Sequence, residues 1–421
     1  MARAGGRAVL YEMRPLRQTP AHKTGDFAEL VCSNSLKSEQ QNSAPWLLKE
    51  ELRRLNSLLI GEIAPRARVP AGHALTVDRE IFAAEITRVI AAEPAIEIRR
   101  EEVTVLADHH IWIIASGPLT SDALAQEIAR VTGSGRLFFY DSISPIIDAE
   151  SIDTSIAFRA SRYDKSLDGT ADYLNCPFNK EQYEAFLDAL LAAASVPAHI
   201  EEDHTRYFEA CLPIEEIARR GRDTLRFGPM KPMGLIDPRT GRRPWAVVQL
   251  RQEDARAGSY NLVGFQNHMR FGDQQRVLRM IPGLEHAEFL RFGQVHRNTY
   301  INGPALLAPT LQMRTRPEIL FAGQISGVEG YVESIATGLI AGRAAAALAA
   351  GEPPRALPRE TAMGSLTAYV SGADPLHYQP ANITFDLLPK LENPPRDKKV
   401  RHAEVCRRAL AALEEYLCAH V

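Results

Sequence analysis

The sequence predicts an α/β dinucleotide-type fold interrupted by an inserted domain, and three features carry that prediction. Strand–turn–helix units recur through the first third of the chain. From about Ala149 to Met313 the texture changes to a mixed, arginine-rich region with isolated strands. An apolar strand, a glycine turn and a long Ala/Gly helix then return in ILFAGQISGVEGYVESIATGLIAGRAAAALAAG. The expected organisation is 1–148 for the first part of the dinucleotide domain, 149–313 for an inserted α+β domain, and 314–421 for its second part with a C-terminal cover and helix.

In order along the chain, Met1 to Ala4 read as the end of a helix stopped by Gly5 and Gly6, and RAVLYE as a short buried strand closed by Glu12. Trp46 to Ala64 reads as a helix with Leu47, Leu48, Leu52, Leu55, Leu58 and Leu59 on one face. A Pro-Gly turn leads to a helix capped by Asp78 and running to about Ala91. AIEIRREEVTVL and HIWIIASG read as strands, the second apolar enough to be covered on both faces. A helix starts near Ser121, and LFFYDSISPII is a strand and turn. WAVVQL and YNLVGF are strands of the inserted region, 352–400 is a proline-rich cover, and an amphipathic helix ends the chain.

The 421 residues, with 45% apolar and 24% charged side chains, exclude disordered, collagenous and disulfide-framework classes. Five cysteines without a C-x-x-C pair encode neither a disulfide framework nor a zinc site, and the histidines show no metal spacing, so no metal is assigned. The start of the chain lacks a signal-peptide core and no run of 18 apolar residues occurs, so a cytoplasmic protein with reduced thiols and no membrane partner is expected.

Each candidate site residue has a bland alternative. An acid such as Glu12 at a strand end binds ribose in dinucleotide folds, yet a solvated loop carboxylate looks the same. The turn Gly323, Gln324, Gly327, Val328, Glu329, Gly330 and Tyr331 opens a helix, so its N–H groups and dipole suit a flavin pyrimidine edge; alternatively these glycines, with Gly338 and Gly342, let the helix pack closely. Cys211 precedes Pro213, which fits a first helical position, and a helix start favours a thiolate, while Glu215 and Glu216 oppose it. Cys32 lies in a polar turn; either cysteine can equally be a small buried hydrophobe. Between Arg219 and Arg243, eight cations including Arg219, Arg220, Arg222, Arg226 and Lys231 face two acids, a local excess of six in a chain of net charge −3. That excess suits nucleic-acid phosphate or a solvated basic face.

YEMRP (11–15), QTPAHKTGDFAELVCSNSL (18–36), ASGPLTSDALA (115–125), NCPFNKEQYEAF (175–186), HRNTYIN (296–302) and FAGQISGVEGYVESIATGL (321–339) together resemble the folate- and FAD-dependent tRNA (uracil-5-)-methyltransferases, the TrmFO family. The resemblance runs over nearly the whole chain and implies a Rossmann-like FAD-binding domain of the glutathione-reductase type. It implies methylation of uracil C5 at the T-loop uridine of tRNA, with FAD, 5,10-methylenetetrahydrofolate and NAD(P)H as cofactors. Cys211 resembles the thiolate that adds to uracil C6, Cys32 the second family cysteine near the flavin, and Tyr331 the aromatic that stacks on the pterin. The family opens with a strand and G-x-G-x-x-G that this chain lacks, so an N-terminally shortened sequence is expected, with Met1 near the end of the following helix. Other readings are the same chemistry on a ribosomal-RNA uridine, a related wobble-uridine modification, or an RNA-binding relic without FAD.

Overall fold

The computed structural model describes residues 1–133, 137–195 and 212–420. A 3-10 turn, Ala2–Ala4, ends at Gly5 with φ 80° and feeds β1 (Ala8–Tyr11). β2 (Ser35–Ser38) precedes α1 (Ala44–Arg54), whose first turn is closed by the Ser43 hydroxyl accepting from the Trp46 N–H. The leucine periodicity predicts one helix to Ala64, but the chain breaks at Asn56, which adopts φ 57°. It resumes as a π turn, Leu59–Ile63, running into α2 (Ala64–Arg66). Asparagine tolerates the left-handed region. Leu52, Ile60 and Ile63 stay fully buried across the break, so the apolar face survives although the helix does not.

β3 (Arg68–Val69) and β4 (Ala74–Val77) join β2 in a three-stranded sheet ordered β2-β4-β3. Asp78 caps α3 (Arg79–Ala92) as expected, its Oδ1 accepting from Glu80 and Ile81 N–H at 3.0 Å. β5 (Ile96–Arg99) pairs in parallel with β1. β6 (Trp112–Ile114) is shorter than its apolar run predicts, and two of its three residues are only partly buried. α4 (Asp122–Thr132) begins at the Ser121 cap and stops at Gly133. β7 (Leu137–Ser142) and β8 (Ile146–Asp148) follow.

The next stretch builds its own core. β9 (Phe158–Ala160), β10 (Tyr173–Phe178), α5 (Lys180–Leu191), α6 (Ile214–Arg219), α7 (Thr224–Phe227), β11 (Ala246–Gln252), β12 (Ser259–Leu262), α8 (Phe271–Leu278) and β13 (Phe289–Arg291) come in that order. With β8 they form an antiparallel sheet ordered β13-β8-β12-β11-β10-β9. Tyr183, Phe186 and Phe265 share its core with Val248 and Leu250 of β11, all fully buried. β14 (Val295–Tyr300) returns antiparallel to β7, so the chain leaves and re-enters side by side.

α9 (Gly303–Leu306) leads to β15 (Ile319–Phe321), which pairs in parallel with β6. α10 (Tyr331–Ala349) is apolar enough to cross a membrane by length and composition, yet it packs Val332, Ala336, Ile340 and Ala341 into the first core. α11 (Ala362–Gly372) lies where the prolines predict only a cover, and Ala362, Met363, Leu366 and Val370 are fully buried. Its start is held from outside the segment: both Glu51 carboxylate oxygens accept from Ala362 and Met363 N–H, at 2.6 and 2.8 Å. α12 (Lys398–His420) packs Val405, Cys406, Ala409 and Leu413 on the same core. The parallel strands form two pairs, β1·β5 and β6·β15, and among the described residues no further strand joins them.

Candidate active site

β15 ends in a tight glycine turn. Gly323, Gly327 and Gly330 have φ of 74°, 94° and 110°, conformations that side-chain-bearing residues avoid. Space is equally restrictive. A Cβ on Gly327 would lie 1.9 Å from the Tyr378 hydroxyl, and one on Gly330 2.5 Å from Glu333 Oε2 and 2.8 Å from Lys37 Nζ. Gly338 has nothing within 4 Å of its added Cβ, so close helix packing does not explain that glycine. The Gly323 N–H donates to Thr337 Oγ1 at 2.9 Å, Gln324 Nε2 donates to Glu329 Oε2 at 2.6 Å, and Val328 bridges Ala381. Behind the turn, fully buried Glu333 accepts from Lys37 Nζ and from the Ile383 N–H.

Tyr331, first residue of α10, points its hydroxyl at Cys32. The hydroxyl accepts from the Cys32 N–H at 2.9 Å and lies 3.1 Å from its Sγ. Burial, and next the Cys32 sulfur, push the phenol well above its ordinary range against the pull of Arg79, so Tyr331 keeps its proton. Three arginines from distant elements hold the loop around Cys32. Arg79 Nη1 donates to the carbonyls of Leu30 and Val31, and Arg291 Nη1 donates to that of Val31 at 2.9 Å. Arg251 donates to Asn34 Oδ1 and Ser33 Oγ at 2.9 and 3.0 Å. Glu253 pairs with Arg79. Three guanidinium groups against that carboxylate leave net positive charge beside the thiol, which favours an anion there. Arg79, Arg251 and Arg291 escaped sequence reasoning because isolated arginines carry no pattern; only the chain path brings them together.

Glu12 is where the strand predicts, but its carboxylate is engaged by Arg14, whose N–H, Nε and Nη2 donate to it at 3.0, 3.1 and 2.9 Å. Burial opposes ionisation, yet these bonds hold the Glu12 carboxyl below its ordinary value. Cys211 lies outside the described residues. Downstream of it, Pro213 is the cap of α6 rather than its first helical residue. Buried Glu215 accepts from the His268 N–H at 2.8 Å; burial raises its carboxyl and the nearby His268 opposes that rise.

The arginine-rich stretch is less positive in space than along the chain. Arg219 pairs with Glu216, Arg222 with Glu184 and Asp188 of α5, Arg226 with Asp223, and Arg239 with Asp237. Arg226 also stacks 3.6 Å over Trp245. A count over 219–243 misses Glu184 and Asp188, which the fold brings up from another helix. Arg220 and Lys231 are exposed.

A family model described as GIDA, Glucose inhibited division protein A, matches residues 1–353. A relative from Solibacter usitatus, Methylenetetrahydrofolate--tRNA-(uracil-5-)-methyltransferase TrmFO, is 72% identical over 421 residues, covering 99% of this chain and 94% of the relative. One of the same name from Koribacter versatilis is 64% identical with the same coverage. Aquifex aeolicus GidA, in its form II crystal, superposes with a TM-score of 0.65 at 14% identity, covering 98% of this chain and 70% of that one, a likeness of fold alone. With an FAD-type α/β scaffold carrying an inserted antiparallel domain, and near-full-length identity to these relatives, the chain belongs to the TrmFO family of methylenetetrahydrofolate--tRNA-(uracil-5-)-methyltransferases.

Proposed function

We propose that this protein methylates C5 of uracil in tRNA, at the T-loop uridine, taking the carbon from 5,10-methylenetetrahydrofolate. The observation that carries this reading is the 72% identity, over 421 residues, to a relative named for that reaction. The Cys32–Tyr331 contact beside the glycine turn is its geometric support.

The residues fit the flavin end of FAD. Three glycines in conformations closed to other residues lead into the start of α10, where free N–H groups and the helix dipole favour the negative charge of a reduced ring. Glu12, the strand-end acid expected at a ribose, is engaged by Arg14. When bound, FAD supplies the hydride that takes a methylene-level carbon to a methyl group, with NAD(P)H as the reductant that restores it.

The protein's own groups do the rest. Uracil C5 is a poor nucleophile until a thiolate bonds to C6 and pushes an electron pair towards C5. Cys211 is assigned that addition. Cys32 is assigned to the flavin side, its sulfur held at 3.1 Å by a Tyr331 hydroxyl that can donate to it. Phosphate contacts are assigned to Arg219, Arg220, Arg222, Arg226 and Lys231. Arg219 and Arg222 are about half exposed, and exposed ion pairs are worth ~0–1 kcal/mol, so exchanging Glu216 or Glu184 for a phosphate is nearly neutral. The reading is that of a tRNA-modifying flavoprotein acting in the cytoplasm.

Cys211→Ala tests the assignment. The full-length variant is expected to bind flavin as the parent does and to lose tRNA methylation; normal turnover would remove Cys211 from the reaction.

A further inference from the structure

Three phenylalanines of the inserted region stack in a ladder that starts at Phe289, packed against its core, and ends at exposed Phe271. Phe289 and Phe292 lie 5.0 Å apart between ring centroids at 18°, and Phe292 and Phe271 lie 5.2 Å apart at 25°. Packing does not require the last rung. Gln274, Val277 and Leu278 already bury the inner face of α8, whereas Phe271 is 56% exposed. Neighbouring Leu290 is 53% exposed on the same edge strand, β13.

Hydrogen bonds tie the ladder's neighbours to the Cys32 loop and to Ala194 and Ile214. Arg291, in the strand between Phe289 and Phe292, donates to the Val31 carbonyl beside Cys32. On the other side, the stretch before Phe271 is tied to Ala194, Ser195 and Ile214. The Arg270 N–H donates to the Ala194 carbonyl at 2.9 Å, Ser195 bridges Met269, and the Ile214 N–H donates to the Gln266 carbonyl at 2.7 Å. Arg270 itself is exposed next to Phe271 and forms no ion pair among the described residues. A cation beside an exposed aromatic ladder matches the phosphate and the flat face of one nucleotide.

We propose that Phe289, Phe292 and Phe271 form a stacking platform for an unpaired tRNA base flanking the target uridine, with Arg270 on its phosphate. The inference rests on the tRNA reading. Chemistry at uracil C5 and C6 needs the target base out of its stack, which leaves its neighbour without a partner. A fourth ring on the ladder replaces that partner, and every base has a face to offer, so the contact is independent of base identity.

The test is equilibrium binding of an unmodified tRNA transcript to the full chain, with thermal melts to check that exposed Phe271 variants keep the fold. Phe271→Ala and Phe271→Leu are each expected to weaken binding about tenfold, or 1.4 kcal/mol, while Phe271→Trp retains it. With 2-aminopurine flanking the target uridine, the parent is expected to quench fluorescence and Phe271→Leu to restore it. Phe271→Leu binding like the parent, or unquenched 2-aminopurine on the parent, overturns the platform and leaves the tRNA reading standing if the parent still binds and methylates. A parent that does not bind tRNA overturns both.

Discussion

Tyr331 and Cys32 are 299 residues apart in the chain and 3.1 Å apart in the fold. Each is individually ambiguous, since a tyrosine after a glycine turn and a cysteine in a polar loop are both common. Their contact ties the two together: a part-buried phenol hydroxyl satisfies the Cys32 amide and meets its thiol at once. Tyr331→Phe keeps the ring and deletes the hydroxyl. It leaves the Cys32 N–H without its acceptor, costing ~1–3 kcal/mol if water cannot replace it. The expected outcome is a lowered urea midpoint together with faster alkylation of Cys32 than in the parent, read by mass mapping; unchanged labelling would separate the two residues. Aromatic character at position 331 survives this change, so any stacking on a pterin ring is expected to persist.

Among elements, α4 shows how one side chain sets a local pH dependence. Glu127 on its inner side pairs with Arg130 at 2.7 Å and accepts from the Leu106 N–H at 2.9 Å. The Arg130 hydrogen bond leads, burial opposes, and the Leu106 bond adds, so the carboxyl is held down to about 2. A carboxyl depressed in the folded state contributes stability above its unfolded value near 4.5, and that contribution fades as pH falls towards 2. Urea midpoints of the parent are therefore expected to fall more steeply between pH 4.5 and 2 than those of Glu127→Gln; parallel slopes would count against the assignment. The helix caps at Asp78 and Ser121 are legible from the sequence because a cap depends on residues within one turn. α11 was not legible. Its start is capped by its own Thr361 and, from α1, by Glu51, a partner 311 residues away that no local pattern announces.

At the scale of the molecule, the two cores are clipped together by buried polar contacts. Asp172, 3% exposed, accepts from the Gly72 N–H and the Ser166 hydroxyl, both at 2.6 Å, and from Thr170. Nearby, the Tyr173 hydroxyl donates to the Ala71 carbonyl at 3.1 Å, and on the far side Asp78 Oδ2 accepts from the Ala255 N–H at 2.8 Å. Asp172→Ala strands the buried Gly72 N–H and returns the Ser166 and Thr170 hydroxyls to water, a loss of ~1–3 kcal/mol. A lowered denaturation midpoint and new protease sensitivity near 163–172 are expected; an unchanged midpoint would mean the clip contributes nothing.

The sequence alone determined the alternation of strands and helices, the glycine turn before α10 and the family, because periodicity, caps and long matching segments are properties of neighbours along the chain. Tertiary structure decided what surrounds each candidate. It placed Tyr331 on Cys32, engaged Glu12 with Arg14, neutralised part of the arginine-rich stretch with acids from α5, and stacked Phe289, Phe292 and Phe271 on one another. The physical reason is range: a turn or a cap is settled within a few residues, whereas charge, burial and stacking are settled by whatever the fold packs alongside.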